Sequence, residues 1–320
     1  MSNTLAQEDA LRMLSAMCNQ EILYSKVGSF RIDQSRESSF ANCSDVGVDS
    51  FCSIEHRHEL GTWCYRVVDH LGIPRDTVAY AFFYLDHFML RFPRDQRQLE
   101  LHLQLVTTSA IFLACKVHHF QSFDGKSNHL LSFLLSLARG KFTREKVEKM
   151  ELMLLQSLSF YLHPPIPCWL VHVLVSALSV GDAFESIWPG PMLLQIKEEA
   201  IYLTELAVLE PELVHAKPSN IAAAALLNAL IITHENPGGF CSLTGFFPGE
   251  SELEFILGEM IPDFDINELS ATRRALWSAH GRASSSESGG NQSVYTIAQL
   301  RKISSESPQS SVFPVDQVNS

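Results

Sequence analysis

Residues 99–120, LELHLQLVTTSAIFLACKVHHF, contain neither Gly nor Pro and are apolar over most of their length. Leu103, Val106, Ala110, Leu113 and Val117 recur at helical spacing. Leu101, Leu105, Phe112 and Cys115 cover much of the remaining circumference. A helix that is apolar nearly all round must be enclosed by other helices. Ser109, Ala110 and Ala114 would let those neighbours approach closely, as ridge-into-groove packing requires. Lys116 stands apart, a cation at the end of a helix otherwise committed to a core. Lysine is seldom buried unpaired, so it either snorkels to solvent or meets a specific partner.

The rest of the chain repeats this pattern. Residues 4–24 read as an amphipathic helix with a loose stripe of Leu5, Leu11, Leu14, Met17 and Ile22. Periodicity fades from Ser25 to Ser53, which predicts an irregular arm. It returns at His56, where Leu60, Trp63, Val67 and Leu71 form one face, and Gly72 ends the helix. Val78, Ala81, Phe82, Leu85 and Phe88 carry the next helix, opened by Pro74. A shorter helix is predicted at 128–137. Thr143 with Glu145 resembles a helix start, followed by Val147, Met150, Leu154, Leu155 and Leu158.

Prolines at 164, 165 and 167 then stop the chain, because each also pushes its predecessor out of the helical region. Beyond them helices are predicted at 168–178, 192–209, 218–234, 250–261 and 266–280. The run IAAAALLNALII in the third of these is a second small-residue hub. Two sets of about five helices, each around such a hub, suggest an internal duplication. No stretch alternates with period two for long, so the predicted fold is all-α. From Ala283 the composition turns to Ser, Gly, Gln and Pro, which cannot bury a core and predicts a disordered tail. Within it, Ser307-Pro308 has the form of a proline-directed phosphorylation site; an unmodified solvated tail is the other reading.

Charge and cysteines bound the function. The net charge is -12, with no long cationic run, which argues against nucleic acid and anionic membranes as partners. A protein with a basic face fits better. The seven cysteines contain no C-x-x-C pair, and Cys64, Cys115 and Cys168 lie in apolar runs as small hydrophobes. That usage fits a reducing compartment, the nucleus and/or cytoplasm. Residues 1–24 lack the apolar core of a signal peptide.

The segments HRHELGTWCYRVVDHLGIPRDTVAYAFFYLDHFM, LQLVTTSAIFLACKV and KVEKMELMLLQSLSFYLHPP, in that order and spacing, closely resemble the first box of cyclins. The resemblance is strong over 55–165 and weaker through EPELVHAKPSNIAAAALLNALIITHE to about residue 280. It implies two tandem five-helix cyclin boxes. The chain then divides into an N-terminal helix and arm at 1–54, a first box at 55–163, a second at 164–281 and the tail at 282–320. It further implies a protein with no catalytic residues and no cofactor. Such a protein binds and activates a cyclin-dependent Ser/Thr kinase by holding the kinase helix whose glutamate pairs with the catalytic lysine.

By the same resemblance Lys116 and Glu151 match the family's two polar kinase-binding anchors, and Phe160 matches an aromatic contact position. From spacing alone, Glu151 would instead form an ordinary exposed pair with Lys146 or Lys149. The histidines His118 and His119 replace acidic residues common after the lysine. A docking groove for short Arg-x-Leu peptides of substrates or inhibitors corresponds to His56, Leu60, Trp63, Leu103 and Gln104. Its charges are rearranged: Glu59 stands at an apolar position, Arg66 at an acidic one and Glu100 at a basic one. Trp63 reads equally well as core. Arg57 and Asp86 match a structural ion pair joining the first two helices.

Two other function classes use some of these residues. Glu55-x-x-His58 and Glu212-x-x-His215 have the spacing of di-iron helical bundles, which need two further inward carboxylates. Only Glu151 and Glu205 are candidates. A transcription-initiation factor on the same fold would bring paired cysteines and a basic surface, which this sequence lacks. A cyclin serving a transcriptional kinase, or a cyclin-fold scaffold without kinase activation, shares every feature above.

Overall fold

The computed structural model describes residues 2–36, 54–89, 99–119, 127–179, 190–235 and 250–288, and among them every regular element is helical. The helices are α1 (Ser2–Arg36), α2 (Ile54–Leu71), α3 (Asp76–Met89), α4 (Leu99–His118), α5 (Ser127–Leu137) and α6 (Arg144–Ser157). After the proline-rich connection come α7 (Pro167–Ser179), α8 (Gly190–Leu209), α9 (Pro218–Glu235), α10 (Glu250–Met260) and α11 (Ile266–Ser288). A 3-10 turn at Pro211–Leu213 links α8 to α9. After α1, five helices, α2–α6, thus precede the connection among the described residues, and five, α7–α11, follow it.

The two small-residue helices are the hubs. Residues 106–115 of α4 and 221–230 of α9 are buried without interruption. Around α4 pack α2, α3, α5 and α6, and around α9 pack α7, α8, α10 and α11. Ala110, Ala114, Ala222, Ala223, Ala224 and Ala225 are fully enclosed, so backbones approach as only small side chains allow. In α3 the periodic set Val78, Ala81, Phe82, Leu85 and Phe88 is buried throughout. In α2 Val67 is buried as predicted, but the rest of the buried face is turned from the predicted one: Arg57, Gly61, Cys64, Tyr65 and Val68 are enclosed, while Leu60, Trp63 and Leu71 are half-buried along its edge.

The halves meet where α8 reaches back against α2 and α3. Gly61 sits at that crossing, with the Leu209 side chain occupying the space a Cβ would take. At the end of α2, Gly72 has φ +64, and the Gly72 and Ile73 amides donate to the Asp69 and Val68 carbonyls. That left-handed turn closes the helix at little steric cost because glycine has no Cβ.

Two expectations at the ends are corrected. The N-terminal helix is not confined to 4–24 but runs over Ser2–Arg36, into the segment expected to be irregular. Its buried face is Ala10, Leu14, Cys18, Glu21 and Tyr24, with Leu11 and Ile22 at the surface. This face packs on α7. Gln20 Nε2 donates to the His163 carbonyl at 2.7 Å, and the His163 amide donates to Tyr24 Oη at 3.0 Å, so α1 straps the connection between the halves. Glu21 accepts from the Ser219 amide and hydroxyl at 3.2 and 3.1 Å, satisfying the first turn of α9. At the other end α11 continues through Ser288, past the composition change at Ala283. Residues beyond 288, including Ser307, lie outside the described set.

Candidate functional site

Lys116 closes α4, and Glu151 lies in the middle of α6, which packs along it. Their spacing in sequence is long, but the helix pair brings Lys116 Nζ to 2.7 Å from Glu151 Oε1. The ammonium also lies 5.0 Å from the centre of the Phe112 ring. The expected alternative, Glu151 paired with Lys146 or Lys149, is overturned. Those lysines are exposed on other faces of α6, while Glu151 is buried toward α4. The Lys116 side chain is 37% exposed and that of Glu151 12%. Lys116 therefore does not simply snorkel; it is held by its partner at the edge of the core. Among the described residues, two of its three N–H donors and one oxygen of the Glu151 carboxylate have no hydrogen-bond partner.

Phe160 stands just past the end of α6. Ser159 and Phe160 both adopt the left-handed conformation, at φ 50 and 62. The Phe160 amide donates to the Leu155 carbonyl at 3.0 Å and closes the helix. A bulky aromatic residue in that region costs on the order of 1–2 kcal/mol. Yet its ring is 65% exposed and contributes little to the core that would offset the cost.

Arg57 and Asp86 form a two-pronged ion pair between α2 and α3, with contacts of 2.6 and 2.9 Å. Arg57 Nε also donates to the Val208 carbonyl of α8 at 2.9 Å, and the guanidinium covers the Phe82 ring at 4.9 Å. A second clamp was not foreseen from sequence. Arg75 donates to both Asp69 oxygens at 2.9 and 3.0 Å and to Glu205 of α8 at 2.8 Å, 5.1 Å above the Tyr65 ring. Tyr65 Oη in turn donates to the Glu205 carbonyl. The orientation of the two halves thus rests on two arginines that each bridge α8 to the first half.

The proposed docking residues divide. Leu60, Trp63 and Gln104 line one open groove of about 490 Å³, together with Glu59, Thr107, Leu137, Arg139, Lys141 and Phe142. Leu103 does not join them; it is buried in the core, because α4 is apolar on nearly every side. His56 is exposed and lies off the groove. Arg66 is exposed, and the side chain of Glu100 lies outside the described set. Arg139 and Lys141 carried no sequence signal, since only the fold of the α5–α6 turn brings them beside α2.

His118 is half-buried between α3 and the connection. Its ring stacks on Tyr80 at 3.6 Å, and Nε2 lies 2.9 Å from Tyr84 Oη and 3.2 Å from the Leu162 carbonyl. Tyr84 Oη donates to that carbonyl at 2.6 Å, so it accepts from an Nε2–H of neutral His118. Burial, with neighbouring His163, lowers the His118 pKa to about 4. His119 Nε2 is 3.6 Å from Asp76 Oδ1, whose other oxygen accepts from the Trp169 indole at 3.1 Å. The carboxylates considered for a di-iron centre are engaged elsewhere, Glu151 with Lys116 and Glu205 with Arg75. No group of three metal-ligating side chains occurs among the described residues. Nor is any described helix long and apolar enough to cross a membrane.

Residues 31–163 match the N-terminal domain of cyclins. The chain is 30% identical over 169 residues to G2/mitotic-specific cyclin-B2 of Oryzias luzonensis, covering 52% of this chain and 38% of that protein. It is 27% identical over 180 residues to the Gallus gallus cyclin-B2, covering 56% and 40%. It is 24% identical over 187 residues to G2/mitotic-specific cyclin-2 of Medicago sativa, covering 58% and 47%. The aligned regions thus span less than half the length of these relatives. In three dimensions the fold is similar to that of a viral cyclin from herpesvirus saimiri, with a TM-score of 0.52 at 16% identity over 72% of this chain and 86% of that one. Two hubbed sets of five helices, the first lying largely within the stretch that matches the cyclin N-terminal domain, make the chain similar in fold and in the sequence of its first half to cyclins.

Proposed function

We propose that this chain is the regulatory subunit of a cyclin-dependent Ser/Thr kinase, which it binds and activates during cell-cycle progression in the nucleus and/or cytoplasm. The working unit is a first box at 55–163 and a second at 164–281. The observation that carries the reading is the Lys116–Glu151 pair, half-open to solvent at 2.7 Å. Phe160 lies exposed at the end of the same helix as Glu151. The names of the relatives, G2/mitotic-specific cyclins, support the cell-cycle assignment.

The mechanism is a shift of population. Phosphoryl transfer needs the kinase lysine–glutamate ion pair in place. A partner that grips the helix-in state more tightly than the helix-out state shifts the equilibrium by that difference in affinity. Lys116 would donate to main-chain carbonyls at the kinase helix, Glu151 would accept from its amides or cations, and Phe160 would add apolar area. Charge-assisted hydrogen bonds of this type contribute about 1.5–3 kcal/mol each.

The test is co-purification with a kinase from dividing cells and phosphorylation of a histone-type substrate. Lys116→Ala together with Glu151→Ala should weaken kinase binding by about 100-fold or more, the equivalent of two such bonds. Its helical circular dichroism should remain that of the parent. A folded double variant that still binds and activates would refute the interface. A chain that captures no kinase would refute the reading itself.

A further inference from the structure

The groove beside Trp63 has an apolar floor and a cationic end. Leu60 and Trp63 of α2 and Phe142 beyond α5 supply the floor, and Leu137, at 42% exposure, overhangs it. At one side the α5–α6 turn presents Arg139 and Lys141, both exposed, two residues apart. Arg139 is held in the left-handed region at φ 48, so the turn itself, and not the end of a helix, sets its direction. Lys141 Nζ donates to Gln104 Oε1 at 2.9 Å, which anchors it on the groove wall and leaves two donors. Glu59 is the only carboxylate among the described lining residues. Thr107 and Thr108 turn their hydroxyls back to the Leu103 and Gln104 carbonyls and do not offer them to a ligand. In a chain of net charge -12, this is a local excess of positive charge around an apolar slot.

Building on the cyclin reading, we propose that this groove docks a short acidic peptide. One or two apolar side chains enter between Leu60, Trp63 and Phe142, and adjacent Asp or Glu side chains meet Arg139 and Lys141. Among the described lining residues, an arginine in their place would face two cations with one carboxylate, Glu59, to receive it. Like-charge contact of this kind rejects a partner as effectively as attraction selects one. The specificity-determining residues are therefore Arg139 and Lys141, and the peptides are of opposite charge to Arg-x-Leu motifs. The apolar insertion supplies most of the affinity, and the charges decide between partners.

The experiment compares two fluorescein-labelled peptides, Ala-Glu-Glu-Leu-Phe-Ala and Ala-Arg-Arg-Leu-Phe-Ala, titrated with the full chain by fluorescence anisotropy. The acidic peptide should bind about tenfold more tightly at low salt, as expected for two solvent-facing charge contacts exchanged for repulsion. Its advantage should shrink as salt screens them. Arg139→Glu with Lys141→Glu should invert the order, and Trp63→Ala should abolish binding of both. Arg139→Gln with Lys141→Gln keeps the turn and should make the two peptides equal. Equal or tighter binding of the arginine peptide by the parent chain would overturn the proposal. So would binding of a phosphoserine peptide while the glutamate peptide is refused, since that groove would require a phosphate. Kinase co-purification by the same preparation reads the cyclin assignment independently: its loss with acidic-peptide binding intact would sink that assignment and leave the groove standing.

Discussion

Removing the Arg57 side chain is the sharpest test of how the first box is held to the second. Arg57→Ala deletes both contacts to Asp86, the bond to the Val208 carbonyl and the cover over Phe82 at once. What remains is a carboxylate only 20% exposed, on a helix with no other cation bonded to it among the described residues. Breaking one side of a buried pair costs about 3–5 kcal/mol, mostly because the survivor keeps its charge without a partner. Water can reach part of Asp86, so the lower end, about 3 kcal/mol, is expected. For a chain of this size that corresponds to a fall in Tm of roughly 6–12 °C. Thermal melts followed by circular dichroism at fixed protein concentration measure it. Arg57→Met with Asp86→Leu removes both charges and should cost less than Arg57→Ala alone, since no lone charge is left behind. Urea titration gives the same ordering if the cause is stability and not a change in the unfolded chain. A single variant that loses under about 1 kcal/mol would refute the claim that this pair clamps α2, α3 and α8. So would a double variant whose cost equals the sum of the singles.

Two further outcomes follow from contacts where α8 meets α2 and where α3 meets the connection. Gly61→Ala drives a Cβ into the Leu209 side chain and should destabilise by about 1–3 kcal/mol, and by less when made in a Leu209→Ala background; an equal cost in both backgrounds in the same melts would mean that Leu209 does not fill the space beside Gly61. His118, neutral with its pKa lowered to about 4, should make stability fall as pH drops below about 6.5, because the unfolded chain then binds a proton that the folded chain refuses. That loss should accumulate down to about pH 4 and then level, and His118→Gln should flatten the slope in urea titrations run across that window; an unchanged slope would show that the Tyr84–Leu162 site does not exclude the proton.

Much of the architecture was legible because burial writes a period into sequence. Val78, Ala81, Phe82, Leu85 and Phe88 all lie at helical spacing, and all are buried. The same signal fails where a helix needs no core. The continuation of α1 past Tyr24 and of α11 past Ala283 runs through stretches rich in Ser with Gly, Asp or Arg, a composition that leaves no regular apolar stripe to read. It also misleads where a helix is enclosed on every side. On α4 periodicity cannot say which apolar residue faces a groove, and Leu103, a reasonable groove residue by resemblance, is core. In α2 a polar residue shifted the inferred face. Arg57 is buried because its charge is matched, and hydrophobic spacing has no means of anticipating a matched charge.

Pairings across the fold were the least legible, and they matter most for function. Lys116 finds Glu151, and Arg75 finds Glu205, only because α4 lies on α6 and α3 lies near α8. Spacing offered Glu151 the lysines of its own helix, and every charged helix offers such neighbours. What separates Lys116–Glu151 from the arginine clamps is exposure. Arg57 and Arg75 are 8% and 14% exposed and direct their donors inward, so each is used up in holding the bundle. Lys116 is 37% exposed, fixed by its partner yet open, and Phe160 is held outward by a strained turn whose cost the core does not recover. A surface can select one state of a partner only if it does not itself rearrange to fit both. The clamps provide that rigidity. If they do, a variant that loosens α8 from α2, such as Gly61→Ala, should weaken kinase activation more than kinase binding, although it touches none of the proposed contact residues.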